Sequence, residues 1–295
     1  MGTGTGKARP LGDRYHLTSP IGQDGMGTVW RAHDSLLRRN VAIKEIQPRF
    51  GEYGADMRDA RRRALREARS AGRLNHPAVI SVHDLLEEDG RLWIVMELLE
   101  ALTLKETVRH MGHLPIHWVA WIGFQLLGGL RHAHGAGVLH RSINPRNILL
   151  TGDRVVLADF GIAALHRDSG TSTTLPLTHA PAFMAPERLR GGSPTPAGDL
   201  WSLGASLYFA VEGRPPRSGH RAPTPQGPSA DRNPETTVRA GALRPVLEGL
   251  LRRDPAARIS MGQAGRMLSA VLHAEGVALA RPRLPAARLP PDAYA

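Results

Sequence analysis

The hydrophobic periodicity changes once along the chain, near Glu100, and that change restricts the fold more than any other feature. From Tyr15 to about Glu100, short apolar runs recur: "GTVWRAH", "NVAIKEI", "VISVHDLLEED" and "RLWIVMEL". Runs of this kind predict strands. One helical stretch interrupts them, from about Asp56 to Leu74. It is rich in Ala, Arg, Leu and Glu and stops at Asn75-His76-Pro77. After Glu100 helices dominate, in "TLKETVRHM", "IHWVAWIGFQLLGGLRHAHGAG" and "GDLWSLGASLYFAVEG". A final helical block is expected from about Leu243 to His273. The layout predicts an α+β chain, with a small β-rich lobe over 14–100 and a larger helical lobe over 101–275. A ligand cleft is expected between them. A Gly-rich leader (1–13), a Pro/Gly/Ser-rich connection (Gly213 to Thr236) and a Pro/Arg-rich tail (276–295) read as flexible segments.

Composition removes several function classes. With 295 residues and 41% hydrophobic content, the chain can bury a real core. It has no cysteine, so disulfides, thiolate metal sites and cysteine nucleophiles are excluded. The N-terminus lacks the apolar core of a signal peptide. The most apolar region, Ile116 to Leu130, is short and broken by His117, Gln125 and glycines, so no membrane span is expected. The formal charge of +11 comes from arginines spread along the chain, densest at Arg61, Arg62, Arg63 and Arg66. No nucleic-acid-reading motif accompanies them, and the charge reads as a composition bias, with no nucleic-acid partner. Lysine occurs only at Lys7, Lys44 and Lys105, so each lysine stands out.

Four short stretches carry chemistry. In "IGQDGMGTVW", Gly22, Gly25 and Gly27 lie between two β runs. Glycine lets a backbone approach phosphates closely, although a plain hairpin has the same pattern. Asp24 in that turn would repel a triphosphate unless the loop moves or a metal intervenes. In "VAIK", Lys44 sits in a strand among apolar neighbours, where a charge needs a partner. Glu67, in "LREARSAGRL", is the candidate, and an exposed strand-end lysine is the alternative. In "LADFG", Asp159 ends an apolar strand and suits a Mg²⁺ ligand, with Asn147 as a second oxygen. Finally "HRSINPRN", His140 to Asn147, has the frame of a phosphoryl-transfer loop, with Ser142 where that chemistry uses a carboxylate.

Together these residues resemble the protein kinase family, in the bacterial branch of the eukaryotic-like serine/threonine kinases. The resemblance covers Tyr15 to about Leu272 and includes "MAPE" ending at Glu187, "GDLWSLG" around Asp199 and "LLRRDPAAR" ending at Arg258. It implies the bilobal kinase fold. By that resemblance, Lys44 would hold the α/β-phosphates of ATP and pair with Glu67, and Asn147 and Asp159 would hold Mg²⁺. Ile21, Gly22, Gly25, Gly27, Val29, Ala42 and Leu149 would surround the nucleotide. Met96 would be the gatekeeper, and Glu97 and Leu99 would present hinge backbone to adenine. Glu187 would pair with Arg258, and His140 would anchor the loop.

The family pattern in the loop is HRD-x-K-P-x-N. This chain has Ser142 at the catalytic Asp position, Asn144 at the catalytic Lys position, Asp24 for the second loop glycine, and His179-Ala180 before "PAFMAPE". The expectation is a pseudokinase that binds ATP and acts through a protein partner. The alternatives are an active serine/threonine kinase acting on a protein substrate and transfer of another group from ATP. Thr171, Ser172, Thr173 and Thr174 fall in the expected activation loop, where a phosphate would pair with Arg141. His132 and His134 are expected to cap or pack a helix end. The tail shows no membrane anchor, so a soluble cytoplasmic protein is expected.

Overall fold

The computed structural model describes residues 10–24, 27–46, 65–66, 68–160, 181–216 and 237–276. They fall into two compact units: the described residues up to Arg73 together with Ser81–Glu100 form one, and Leu74–Ile80 with the described residues from Ala101 to 276 form the other.

The first unit is a five-stranded antiparallel sheet. Its strands are β1 (Tyr15–Asp24), β2 (Gly27–Asp34), β3 (Arg39–Ile46), β4 (Val82–Glu88) and β5 (Arg91–Glu97), in the order β1-β2-β3-β5-β4. β3 runs between β2 and β5 and is buried from Val41 to Ile46. β1 is an edge strand, and it carries Pro20 beside a register shift. An edge tolerates proline because the missing N–H has no ladder partner to lose. Tyr15, Ala32, Val41, Ile43 and Val95 form the core, with Leu86 and Trp93 against it. Polar groups clamp its rim. Arg14 donates two hydrogen bonds to Asp34, each 2.7 Å, and the Tyr15 hydroxyl donates to Asp84 at 3.0 Å. Burial, then the Asp84 carboxylate, pushes the Tyr15 phenol up to about 12.

The second unit is mainly helical: α1 (Leu104–Met111), α2 (Ile116–Gly135), α3 (Pro186–Leu189), α4 (Pro196–Glu212), α5 (Arg244–Leu250) and α6 (Met261–Ala274). A small sheet of β6 (Leu102–Thr103), β7 (Ile148–Leu150) and β8 (Val155–Leu157) joins them. Caps explain several boundaries. Thr103 and Glu106 form a capping box on α1, as Ser260 and Gln263 do on α6. Thr195 caps α4, with Pro196 at its first position, and Gly213 ends it at φ +76°. Close helix contacts need glycine: a Cβ on Gly204 would lie 2.7 Å from Leu250, and one on Gly123 would lie 2.8 Å from Leu207.

Two boundaries differ from the sequence expectation. The final helical block is two helices, because Asp254 and Pro255 start a separate 3-10 turn at Pro255–Ala257. The Asp254 carboxylate accepts from Ala256 N–H at 2.9 Å. The strand expected to begin at Val79 begins at Val82. Ala78 and Ile80 instead exchange backbone hydrogen bonds with Leu157, at 3.0 and 3.1 Å, which ties that segment to the second unit. Among the described residues, no helix is long and apolar enough to cross a membrane.

Candidate functional site

The loop from Val138 to Asn147 is held by its backbone. Asp199, in the first turn of α4, is 3% exposed. Its carboxylate accepts from His140 N–H at 2.9 Å and from Arg141 N–H at 2.8 Å. His134 Nε2 lies 2.8 Å from the same carboxylate. Arg141 adopts φ +70°, a left-handed conformation that costs a non-glycine residue about 1–2 kcal/mol. The two backbone hydrogen bonds hold it there. His134 therefore does more than cap α2. His132 behaves differently again: its Nε2 lies 3.3 Å from Asn75 N–H and its ring sits 5.6 Å from that of His76.

His140 is fully buried. Its Nε2 lies 2.8 Å from the Ala158 carbonyl, which can only accept, so Nε2 carries the hydrogen. Nδ1 is then an acceptor; Ser142 N–H reaches it at 3.3 Å and the Ser142 hydroxyl oxygen is 3.5 Å away. Burial holds the His140 imidazole below its ordinary pKa, so the ring is neutral. Its edge meets Phe160, with centroids 4.6 Å apart. These contacts make His140 a loop anchor.

Ser142, Asn144 and Asn147 converge on one carbonyl. Asn144 Nδ2 donates to Ser142 O at 2.9 Å, and Asn147 Nδ2 donates to the same oxygen at 3.0 Å. Asn144 Oδ1 accepts from Arg146 N–H at 2.9 Å, so both ends of its amide are engaged inside the loop. Asn147 instead keeps Oδ1 as an acceptor. Its backbone carbonyl accepts from Ala158 N–H at 2.8 Å, which brings the start of β7 beside the end of β8 and so beside Asp159. Asp159 is 9% exposed and has φ +65°. An amide oxygen and a carboxylate are hard donors, and the pair suits Mg²⁺, which takes few protein ligands and keeps water and phosphate oxygens. Arg141, Ser142, Ile143 and Asn144 line a small recess with Phe183, Met184 and Ser202.

Other candidate residues lie in the first unit. Across the sheet Gly22 pairs with Val29, Val29 with Lys44, and Ala42 with Met96. Lys44 is only 1% exposed, so its ammonium is buried rather than at a wet strand end. Ile21 and Leu99 are half-buried. Glu97 is tied to Ser81 twice: its N–H donates to Ser81 O and its Oε1 accepts from Ser81 N–H, each at 2.9 Å. Gly27 has a structural reason as well as a phosphate-binding one: a Cβ there would lie 1.7 Å from the Glu45 carbonyl oxygen. Leu149, half-buried in the second unit, stands opposite Thr103 and Val156. Gly25, Glu67, His179-Ala180 and Thr171 to Thr174 lie outside the described residues.

Away from the loop, Glu187 and Arg258 form a two-pronged ion pair, with both contacts at 2.7 Å. Sequence reasoning assigned no role to Asp199 and gave His134 only capping or packing at a helix end. The available signal was the "GDLWSLG" stretch itself, an acidic residue opening an otherwise apolar helix.

The protein kinase domain pattern matches residues 15–268, and the chain belongs to the protein kinase family. Its relatives include bacterial serine/threonine kinases. It is 36% identical over 286 residues to the serine/threonine-protein kinase PknL of Mycobacterium tuberculosis, covering 94% of this chain and 70% of PknL. It is 37% identical over 213 residues to PrkC of Bacillus subtilis, covering 72% of this chain and 32% of PrkC. It is 34% identical over 293 residues to PkaA of Streptomyces coelicolor, covering 91% and 52%.

Proposed function

We propose that this chain is a protein kinase domain in which phosphoryl transfer is lost or strongly reduced, that it still binds ATP, and that it acts in the cytoplasm as a regulatory or scaffold protein on a protein partner. One observation carries the proposal: neither loop side chain at the acceptor position can do the family's chemistry. At position 142 the family uses an aspartate that takes the proton of the substrate hydroxyl. Ser142 offers a hydroxyl, a poor base at neutral pH, 3.5 Å from a neutral, buried His140. Losing a positioned general base lowers rates by about 10²–10⁴-fold. At position 144 the family uses a lysine to offset γ-phosphate charge. Asn144 is neutral, and its amide is engaged within the loop.

The nucleotide-binding side is kept. Lys44 with Glu67 is assigned to the α/β-phosphates. Ile21, Gly22, Gly25, Gly27, Val29, Ala42, Glu97, Leu99 and Leu149 are assigned to the loop, hinge and adenine contacts. Asn147 and Asp159 would hold Mg²⁺, which when bound offsets the charge of the phosphates. A second reading, an active serine/threonine kinase of low rate, is favoured by the names of the relatives and by these retained groups. Phosphoryl transfer depends mostly on positioning and charge.

The test is transfer of γ-labelled phosphate from ATP to a generic protein substrate, with Mg²⁺ or Mn²⁺. The chain is compared with Ser142→Asp and with Asp159→Asn as the blank. The expected outcome is wild type indistinguishable from the blank. Wild-type transfer that Asp159→Asn abolishes would establish the second reading. ATP binding is measured separately: saturating ATP with Mg²⁺ is expected to raise the melting temperature, and an unchanged value would remove that half of the proposal.

A further inference from the structure

We infer that Lys105, Arg109 and Arg146 form a docking surface beside the acceptor loop for a peptide segment rich in Asp and Glu. This names the chemistry of the partner and rests on the binding role proposed above. Lys105 and Arg109 lie one turn apart on α1 and share a face. Lys105 N–H donates to the Pro145 carbonyl at 2.9 Å, which fastens the start of α1 to the residue before Arg146. Arg146 N–H is in turn held by Asn144 Oδ1 at 2.9 Å. The patch therefore begins two residues from a side chain that lines the recess at Ser142. All three cations are exposed.

Among the described residues none of the three forms an ion pair. Partial burial, then the charges of Arg146 and Arg109, pull the Lys105 ammonium below its ordinary pKa; Glu106 alone opposes them. The Glu106 carboxylate is already engaged, accepting from Thr103 N–H and from the Thr103 hydroxyl at 2.8 Å each. Like charges one helical turn apart repel, so the arrangement is stabilised by an external anion. Arginine's planar fork matches a carboxylate, and lysine adds a point charge. Neither α1 nor the loop 138–147 has a Phe, Tyr or Trp on which nucleic-acid bases could stack. The complementary partner is thus an acidic peptide.

The test is fluorescence anisotropy of a labelled peptide of clustered Asp and Glu around one Ser, without ATP. A peptide with Asn and Gln in place of the acids and a single-stranded oligonucleotide serve as comparisons. Because the whole chain is basic, the patch variant Lys105→Glu/Arg109→Glu/Arg146→Glu is paired with Arg73→Glu/Arg252→Glu/Arg266→Glu, which changes the net charge equally at other exposed arginines. The expected result is binding of the acidic peptide that the patch variant weakens about tenfold or more and the control variant leaves within about threefold. Equal weakening by both variants, equal binding of the neutral peptide, tighter patch-dependent binding of the oligonucleotide, or no binding would each overturn the inference. ATP plays no part in the measurement. Phosphate transfer together with patch-dependent binding would remove the pseudokinase assignment and leave the docking surface standing.

Discussion

Replacing Glu187 by Ala should be among the more damaging single substitutions in the second unit. Arg258 has five N–H donors, and the structure fills every one. Nε donates to Arg252 O at 2.8 Å, Nη1 to Glu187 and to Ala197 O at 2.8 Å, and Nη2 to Glu187 and to Arg253 O at 3.2 Å. The guanidinium also lies 5.1 Å from the centre of the Trp201 ring. The Arg258 side chain is 1% exposed and that of Glu187 19%. Removing the carboxylate leaves a buried cation with two unfilled donors, which costs about 3–5 kcal/mol. For a unit of this size that corresponds to roughly 10 °C in melting temperature. Glu187→Gln keeps the shape but turns one acceptor into a donor facing a donor, so about 2 kcal/mol is expected. A double variant, Glu187→Met with Arg258→Met, should lose less than the single Glu187→Ala, because no orphaned charge remains. Circular dichroism melts of the four proteins check the series. A Glu187→Ala loss below about 1 kcal/mol, the value of an exposed pair, would refute the burial argument.

Two further outcomes follow from packing and titration. Gly204→Ala forces a methyl to within 2.7 Å of Leu250 Cβ at the contact of α4 with α5, so overpacking should cost about 1–3 kcal/mol in urea unfolding, where a glycine with open space at its Cβ position, such as Gly265, would tolerate alanine. Burial holds His140 below the ordinary 6.5, and burial followed by the charges of His132 and Arg131 does the same for His76. The unfolded chain then takes up these protons first on acidification. Stability should be fully present above pH 6.5 and should fall as pH drops below it, while a urea midpoint that stays flat between about pH 7.5 and about pH 5 would contradict the assignment.

The strands and long helices were legible because their signal is local. β3 reads as an apolar run and is buried as one, and α2 and α4 are apolar nearly all round and too long to be strands. The loop was legible for a chemical reason: its His, Asn and neighbouring residues sit within eight positions. What the sequence hid was the scaffold beneath the loop. Asp199 reaches Arg141 across 58 positions and His134 across 65, and no periodicity connects them. The break at Asp254–Pro255 does carry a local signal, an Asp-Pro pair inside an otherwise helical stretch. Gly27 looked like a phosphate-binding glycine, and only the close approach of the Glu45 carbonyl gives its second reason.

The grip of Asp199 on two successive backbone amides bears on how the chain could have changed over time. Those bonds involve main-chain groups, so the path of the loop does not depend on which side chain occupies position 142. A substitution there exchanges the reacting group and leaves the mould intact. Such a change is easily made and easily reversed, since a restored carboxylate would enter a loop already in shape. Asn144 would still bring no positive charge two positions on, so the mould is conserved more readily than the chemistry it holds.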